Sequence, residues 1–190
     1  TGVSRPTSNV KTLREQDIER IRALPEVEDV IVPLSGPATL SIGRESAGTT
    51  IIGFDPEEVK NIQNTGFLEI LEGRNISKND GFVVLLGNAV AFDVFDHGIR
   101  LRDHVKIDGK TFKVIGITKK TSQSFGGGPN TNSTAFIPEK AFKQLFSTTT
   151  PAFLLVKTHS KEQVASAQKK AERVFERAYG KYQKEFIVVS

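Results

Sequence analysis

A hairpin signal in the middle of the chain constrains its fold more than any other feature. Two strand-like stretches, 105–107 and 111–117, flank Asp108-Gly109-Lys110. Asp-Gly is a favoured pair in tight turns, because both residues tolerate positive φ angles. The pattern therefore predicts a two-stranded hairpin, and with it a fold that contains a sheet.

The last third of the chain carries a second pattern, in which a helix separates two apolar strands. Residues 153–156 and 186–189 are apolar runs, and Ser160 with Gln163 fits the capping box that begins a helix. An apolar stripe follows at helical spacing until Gly180 ends it. The stripe consists of Val164, Ala167, Ala171, Val174, Phe175 and Ala178. A strand, a helix and a second strand predict a crossover with parallel or split pairing.

The beginning of the chain predicts a helix followed by a strand. Thr12 and Glu15 fit another capping box, and apolar residues recur at helical spacing until Pro25. The β-branched stretch 27–32 then predicts a strand directly after the helix.

The centre of the chain is predicted to be rich in strands. Residues 38–43 and 50–54 predict a second hairpin, whose turn contains Gly48. The continuous apolar run 82–86 predicts a strand buried on both faces, with Asn88 capping the helix that follows.

Together these elements predict an α+β fold with two lobes. One βαβ lobe is expected from both chain ends, residues 1–61 plus 148–190, because the first helix–strand unit and the last crossover are built alike. A β-rich lobe, residues 62–147, is expected to be inserted between these two parts.

Composition excludes several classes of protein. The chain has 190 residues, 37% of them hydrophobic, and no apolar run approaches the roughly 18 residues of a membrane span. Cysteine is absent, which excludes disulfides, cysteine zinc sites and thiol nucleophiles. Methionine is also absent and the chain begins at Thr1, so we expect it to be processed or excised from a larger protein. The 26 basic residues are interspersed with 22 acidic ones, which does not favour nucleic-acid binding.

Residues 119–134 predict a long loop, which is the candidate for contact with a partner. Phe125 is its only large apolar side chain, and loops of this length inside compact domains are uncommon and often functional. Successive glycine amides can bind phosphate, but the Gly-Lys-Ser/Thr ending of a phosphate-binding loop is missing, so a flexible loop tip is the favoured interpretation. The candidate contact residues are Ser124, Phe125, Gly126, Gly127 and Gly128.

No catalytic, cofactor-binding or metal-ligating residue is assigned from the sequence. The best alternative is a group of carboxylates and imidazoles, namely Asp93, Asp96, His97, Asp103 and His104. Gly98 is expected to end the helix that carries His97, so convergence of both imidazoles needs an unusual turn. A helix C-terminus followed by a solvated loop is the favoured interpretation. Asn75 and Asn132 begin glycosylation sequons, for which chance is the simplest explanation.

Short segments spread over residues 13–146 occur in an order typical of one known family. They are Asp17-Ile18 through Val30 with Pro33, Ile52-Gly53-Phe54-Asp55-Pro56, Leu71-Glu72-Gly73-Arg74-Asn75-Ile76, Asp80 before Val83-Val84-Leu85-Leu86-Gly87, residues 107–117, Ser124-Phe125-Gly126-Gly127-Gly128 and Ala135-Phe136-Ile137-Pro138. In this order they resemble the extracytoplasmic core domain of MacB-like ABC transporter permeases, which are related to the lipoprotein-release and FtsX-like permeases.

The resemblance implies a domain inserted between the first two transmembrane helices of a permease, on the outer side of the cell membrane. It also implies that the βαβ lobe formed by both chain ends is porter-like and that the β-rich lobe is inserted into it. It implies as partners those helices, a cytoplasmic ATPase subunit or domain, a second permease copy and an extracytoplasmic partner protein. The function it implies is non-catalytic coupling of helix motion, driven by cytoplasmic ATP hydrolysis, to substrate export or partner docking. Two alternatives stay open, a free-standing exported ligand-binding module and a hydrolase that uses His97 and His104.

Overall fold

The computed structural model describes residues 14–62, 65–121, 130–147, 150–151, 153–179 and 186–190. The helices are α1 (Glu15–Arg22), α2 (Pro56–Ile62), α3 (Asn88–Phe92), α4 (Glu139–Leu145) and α5 (Val164–Tyr179). The strands are β1 (Val27–Ile31), β2 (Leu34–Ile42), β3 (Glu45–Phe54), β4 (Ile70–Gly73), β5 (Val83–Leu86), β6 (His104–Ile107), β7 (Lys110–Thr118), β8 (Thr134–Pro138), β9 (Thr150–Pro151), β10 (Leu154–Thr158) and β11 (Phe186–Val189). In these ranges no helix combines the length and the apolar character needed to cross a membrane.

The larger sheet closes into a ring. Its strands follow the order β3-β8-β5-β7-β6-β2, and β2 then pairs with β3 to complete the circle. β4 adds to β7, and β9 adds to β2. Closure satisfies the backbone hydrogen bonds that an open sheet would leave at its edges.

The interior of the ring is filled by side chains that alternate along each strand. In β6, for example, Val105 and Ile107 are fully buried while Lys106 is exposed, as the period of two in a strand requires. Phe112 and Val114 of β7 belong to the same apolar cluster, to which α3 and α4 also contribute. We call the strands β2, β3, β5, β6, β7 and β8 the ring.

A second sheet contains the first and last strands of the described chain. Its order is β1-β10-β11, with β1 antiparallel and β11 parallel to β10. One face packs against α1 and α5 through an apolar cluster that includes Ile21 and Phe175. The other face packs on the outside of the ring, where Ile31 and Leu155 share a cluster with Phe136. This small sheet is therefore the middle of three layers.

The structure confirms the α+β class, the central hairpin and the parallel crossover. Asp108 and Gly109 have φ angles of 45° and 83°, as the predicted turn requires. The second hairpin also forms, but its chain reversal lies between Ile42 and Glu45, and Gly48 lies inside β3.

Two predicted helix caps are wrong. The residue that precedes α3 is Gly87, and the Asn88 side chain instead donates to the carbonyl oxygen of Thr118. Ser160 makes no capping hydrogen bond, because a 3-10 turn at Lys161–Gln163 comes before α5. The predicted cap at Thr12 lies outside the described residues.

The boundaries of the two predicted lobes, 1–61 plus 148–190 and 62–147, stay a prediction. Strand pairing places residues 34–54 with the ring, since β2 pairs with β6 and β3 pairs with β8. Of the strands in the described chain, only β1, β10 and β11 form the small sheet.

Candidate functional site

The base of the long loop is held together by one asparagine. The predicted contact residues Ser124, Phe125, Gly126, Gly127 and Gly128 lie outside the described residues, but both ends of their segment are described. The Asn132 side chain accepts from the Thr121 amide at 2.9 Å and donates to the Thr121 carbonyl at 2.7 Å. The hydroxyls of Thr121 and Thr131 lie 3.1 Å apart. The side-chain amide of Asn132 thus pairs with the backbone of Thr121 as a neighbouring strand would, and it joins the two ends of the loop.

The same base is packed tightly against the beginning of α3. A Cβ atom at Gly87 would lie 2.3 Å from the carbonyl oxygen of Thr131, so only glycine fits there. The Gly87 amide donates to the Thr134 carbonyl at 2.8 Å. Thr118, Thr131 and Thr134 are buried around this contact. The loop therefore starts and ends on a closely packed platform, which we call the loop base (Gly87, Thr121 and 130–134).

The asparagine side chains of both glycosylation sequons are engaged in contacts within the fold. The Asn132 amide nitrogen is the donor to Thr121 in the loop base. The Asn75 amide nitrogen is enclosed, and the Asn75 oxygen accepts from the Ile76 amide at 3.0 Å. In this fold the Asn75 nitrogen is buried, and the Asn132 nitrogen is engaged in a hydrogen bond.

The structure does not bring the carboxylates and imidazoles of the hydrolase alternative together. His97 is exposed in the turn after α3, whereas His104 begins β6 and lies opposite Lys113. The Asp103 carboxylate accepts from the amide of Arg100 at 2.8 Å and so stabilises the turn in which it lies. Asp93 and Asp96 are exposed. Within the described part of the chain, no three His, Asp or Glu side chains could hold a metal ion.

An acidic cluster lies where α2 contacts both the ring and the small sheet. It consists of Glu58, Asp55, Glu139 and Asp29, and sequence reasoning did not identify it. Burial raises the pKa of the Glu58 carboxyl to about 7, and the nearby charges of Asp55, Glu139 and Asp29 add to the shift. Asp29 belongs to β1 and accepts from the Asn61 side chain at 2.9 Å, whereas Glu139 begins α4. Glu58 can therefore change its protonation near neutral pH, but none of the described residues of this cluster forms a nucleophile with its base.

A cleft of about 260 Å³ lies beside this cluster. It is lined by Asp55, Pro56, Glu57, Lys78, Asp80, Pro138, Glu139 and Lys140. Charges of both signs line it, so the cleft has no single electrostatic preference.

A second groove, also about 260 Å³, lies on the outside of the ring. It is lined by Gly73, Arg74, Leu101, Arg102, Lys113, Val114 and Ile115. The Arg74 guanidinium binds both oxygens of Asp80, at 2.7 and 2.8 Å, and these hydrogen bonds are the main reason that the pKa of the Asp80 carboxyl lies below its ordinary value. Arg102 and Lys113 are exposed at the groove, and no carboxylate of the described residues pairs with either of them.

Comparison with known proteins places these features in a family. A family model described as the MacB-like periplasmic core domain matches residues 1–174. An uncharacterized ABC transporter permease of Methanocaldococcus jannaschii is 27% identical over 115 residues, which are 60% of this chain and 28% of the relative. The uncharacterized ABC transporter permease YknZ of Bacillus subtilis is 23% identical over 173 residues, 89% of this chain and 42% of the relative. The chain thus spans less than half the length of these relatives.

Two solved structures share the fold. The extracellular domain of the noncanonic ABC-type transporter YknZ from Gram-positive bacteria aligns with a TM-score of 0.59 and 22% identity, over 97% of this chain and 92% of that one. The periplasmic region of MacB from Actinobacillus actinomycetemcomitans aligns with a TM-score of 0.59 and 16% identity, over 93% and 78%. Since the family model matches well over half of the residues, the chain belongs to the MacB-like periplasmic core domains and is an extracytoplasmic domain of an ABC transporter permease.

Proposed function

We propose that this domain couples movement of transmembrane helices to substrate export or to partner docking, without catalysing a reaction itself. ATP hydrolysis in a separate cytoplasmic subunit or domain drives the helices in this proposal. The partners are the permease's own transmembrane helices, that ATPase, a second permease copy and an extracytoplasmic partner protein.

The position of the first and last strands carries the proposal. β1 and β11 form the two edges of the small sheet, with β10 between them. The same sheet packs on the ring through Ile31 and Leu155. A displacement that enters near either end of the chain therefore reaches the ring through one packed layer, and packed layers transmit strain because they compress little.

The loop base supports the docking part of the proposal. Asn132 and Thr121 hold the two ends of the segment that contains Ser124, Phe125, Gly126, Gly127 and Gly128. Such a base presents a loop at a defined place on the domain, as binding loops on rigid scaffolds require. We keep these five residues as the proposed contact with an extracytoplasmic partner.

A cross-link across the small sheet tests the coupling. Asp29 and Lys157 are antiparallel neighbours in β1 and β10, and such neighbours have Cα atoms about 4.5–5.5 Å apart, which suits a disulfide. This domain has no cysteine, so D29C/K157C introduces its only thiols, and replacing any cysteines elsewhere in the complete transporter by serine leaves one defined bridge. If relative movement of the two chain ends drives export, oxidation lowers ATP-dependent transport severalfold and a reductant restores it.

The matched control is S41C/S46C, which bridges β2 and β3 inside the ring. This bridge is expected to leave transport unchanged. Full transport by oxidised D29C/K157C, with the bridge verified by mass spectrometry, would contradict coupling that depends on relative movement of β1 and β10 within the small sheet.

A free-standing exported ligand-binding module is the second candidate, and the two clefts are its only support in the described residues. Each measures about 260 Å³, which is below the roughly 300–1,000 Å³ of most ligand pockets. A thermal-shift screen distinguishes the two functions. A true ligand at about 100 times its Kd stabilises the folded chain by about 2.7 kcal/mol.

A further inference from the structure

The segment that contains the β6–β7 hairpin carries an excess of positive charge, and three of its exposed cations, Arg102, Lys106 and Lys113, lie at the outer face of the hairpin or at the groove beside it. Two others do not, because Lys110 lies over the Phe82 ring and Lys119 pairs with Glu69. Residues 100–120 contain seven Lys or Arg residues and two Asp residues, a net charge of +5, whereas the complete chain has +4. The other 169 residues together are therefore slightly acidic. We propose that this face and the groove beside it bind a linear polymer that carries repeated phosphate groups.

Strand geometry gathers the cations on one side. Lys106 in β6 and Lys113 in β7 are exposed, whereas the intervening Val105 and Phe112 are fully buried inside the ring. His104 lies directly opposite Lys113 in the register of the two strands. Outward neighbours of this kind have Cβ atoms about 5 Å apart. The hairpin therefore presents Lys106 and Lys113 on its outer face, and Arg102 lines the groove together with Lys113.

The carboxylates of the segment do not neutralise this face. Asp103 accepts from the Arg100 amide and Asp108 accepts from the Thr39 amide, each at 2.8 Å. Among the described residues, no carboxylate lies within ion-pair distance of Arg102, Lys106 or Lys113. Free cations next to each other repel, so a bound polyanion relieves a local electrostatic cost.

The groove lined by Arg102 and Lys113 borders this face and has a fixed backbone geometry. Arg102 has a φ of 76°, and its amide donates to the Val114 carbonyl at 2.9 Å, which fixes the backbone at the rim. Gly73 forms part of the wall with a φ of 79°, and a Cβ atom there would lie 2.2 Å from the Ile115 carbonyl oxygen. Only glycine leaves the groove open, and Arg102 and Lys113 line it.

Phosphate groups of a polymer suit these cations better than a lipid surface does. A guanidinium offers paired donors that match phosphate oxygens, and lysine binds phosphate as a point charge. Lys106 and Lys113 lie on different strands of the hairpin and Arg102 lies at the groove, so these cations can contact more than one charge of an extended polymer. Binding to a lipid surface also needs exposed apolar side chains, and those in the described chain, Leu71, Phe92 and Val94, do not line the groove.

Fluorescein-labelled inorganic polyphosphate is the probe, with binding followed by anisotropy at several salt concentrations. The chain is expected to bind polyphosphate with an affinity that falls steeply as salt rises. R102Q/K113Q should weaken binding about tenfold, because two charged contacts are lost. K161Q/K169Q removes two exposed lysines near and on α5 and is expected to change the affinity less than about twofold.

The second variant pair K106Q/K113Q keeps the test valid if Gln is not tolerated at the positive φ of Arg102. Circular dichroism verifies that each variant is folded. Three outcomes would overturn the proposal: equal weakening by K161Q/K169Q, equally tight binding of polyglutamate, or tighter binding to phosphatidylglycerol vesicles than to polyphosphate. Loss of polyphosphate binding confined to the hairpin variants would establish it, and it does not depend on the proposed coupling.

Discussion

The ring and the small sheet are built from the same kind of strand but are stabilised differently. Each ring strand has a neighbour on both sides, and its inward side chains fill a common interior. The small sheet has only three strands, and it depends on α1 and α5 on one face and on the ring on the other. The ring is therefore the more self-sufficient body, and the small sheet is the one whose stability depends on its neighbours.

The largest loss of stability is expected from removing a large side chain from the interior of the ring. Phe112 is fully buried and meets Phe82 edge to face at 5.4 Å between ring centroids. F112A should lower the free energy of unfolding by about 3–5 kcal/mol, whereas I21A, in the layer between α1 and the small sheet, should cost about 2–4 kcal/mol. Urea unfolding measures both losses.

Hydrogen exchange then sharpens the comparison between the two bodies. I21A is expected to increase exchange in β1 and β10 while the ring stays protected, because the ring has its own interior. Equal loss of protection in both bodies would show that they unfold as one unit.

The next largest loss of stability is expected from a substitution in the loop base. N132A removes the two hydrogen bonds that close the loop base and leaves the polar groups of Thr121 unsatisfied, at a cost of about 1–3 kcal/mol. N61A is the matched control beside the small sheet, because Asn61 makes one exposed hydrogen bond to Asp29. Its cost should stay below about 0.5 kcal/mol. Thermal unfolding distinguishes the two, and similar losses would mean that the loop base contributes no special stability.

The junction of the two bodies should be sensitive to pH. The pKa of Glu58 is raised to about 7 from an ordinary value of 4.5, so the folded state holds a proton that the unfolded state releases. This contribution is neutral below about pH 4.5 and destabilises the fold as pH rises towards 7. E58Q should therefore be more stable than the natural chain at pH 8, by about 1 kcal/mol after allowance for solvent screening.

The advantage of E58Q should vanish at pH 4.5, where Glu58 is protonated in the fold. Urea titrations at the two pH values measure the difference. Constant stabilisation at both pH values would assign the effect to packing and not to the charge of Glu58.

The smallest effect is expected from an ion pair on the surface of the small sheet. Glu28 and Lys157 lie 2.7 Å apart and are both partly exposed. E28Q should lower the free energy of unfolding by about 0.5 kcal/mol or less, and the difference should disappear in 1 M salt. A loss above about 1 kcal/mol would show that the small sheet relies on surface charge.

Local patterns were sufficient to predict most elements. The hairpin at Asp108-Gly109 depends on two adjacent residues and four neighbours on each side, so its signal is complete in the sequence. The caps at Asn88 and Ser160 were predicted wrongly. The Asn88 side chain donates to Thr118, 30 residues away, and Ser160 precedes a 3-10 turn without a capping hydrogen bond, and a capping pattern shows neither of these. Similarly, Gly48 was assigned to a turn, although β2 and β3 pair along their whole length and turn later.

The candidate sites were less accessible to sequence reasoning. The loop was identified by its length and composition, but the Asn132–Thr121 bridge joins residues 11 apart whose pairing no local pattern shows. Charges are interspersed along the chain, and Lys106 and Lys113 come to lie on one outer face only because strand alternation separates them from the buried residues between them. Glu58 is one of several carboxylates in the sequence, and only burial beside Asp29 and Glu139 changes its pKa.

The sequence by itself determined the class of fold, the hairpin, the C-terminal crossover and the resemblance to a MacB-like domain. These follow from periodicity, turn chemistry and ordered segments, which act over a few residues. Only the tertiary structure decided that β2 closes the ring, that β1 joins the end of the chain in one sheet, and that Lys106 and Lys113 lie on one face of the hairpin. Such pairings join residues far apart in the chain, and they are chosen by the packing of complementary faces, which no local pattern encodes.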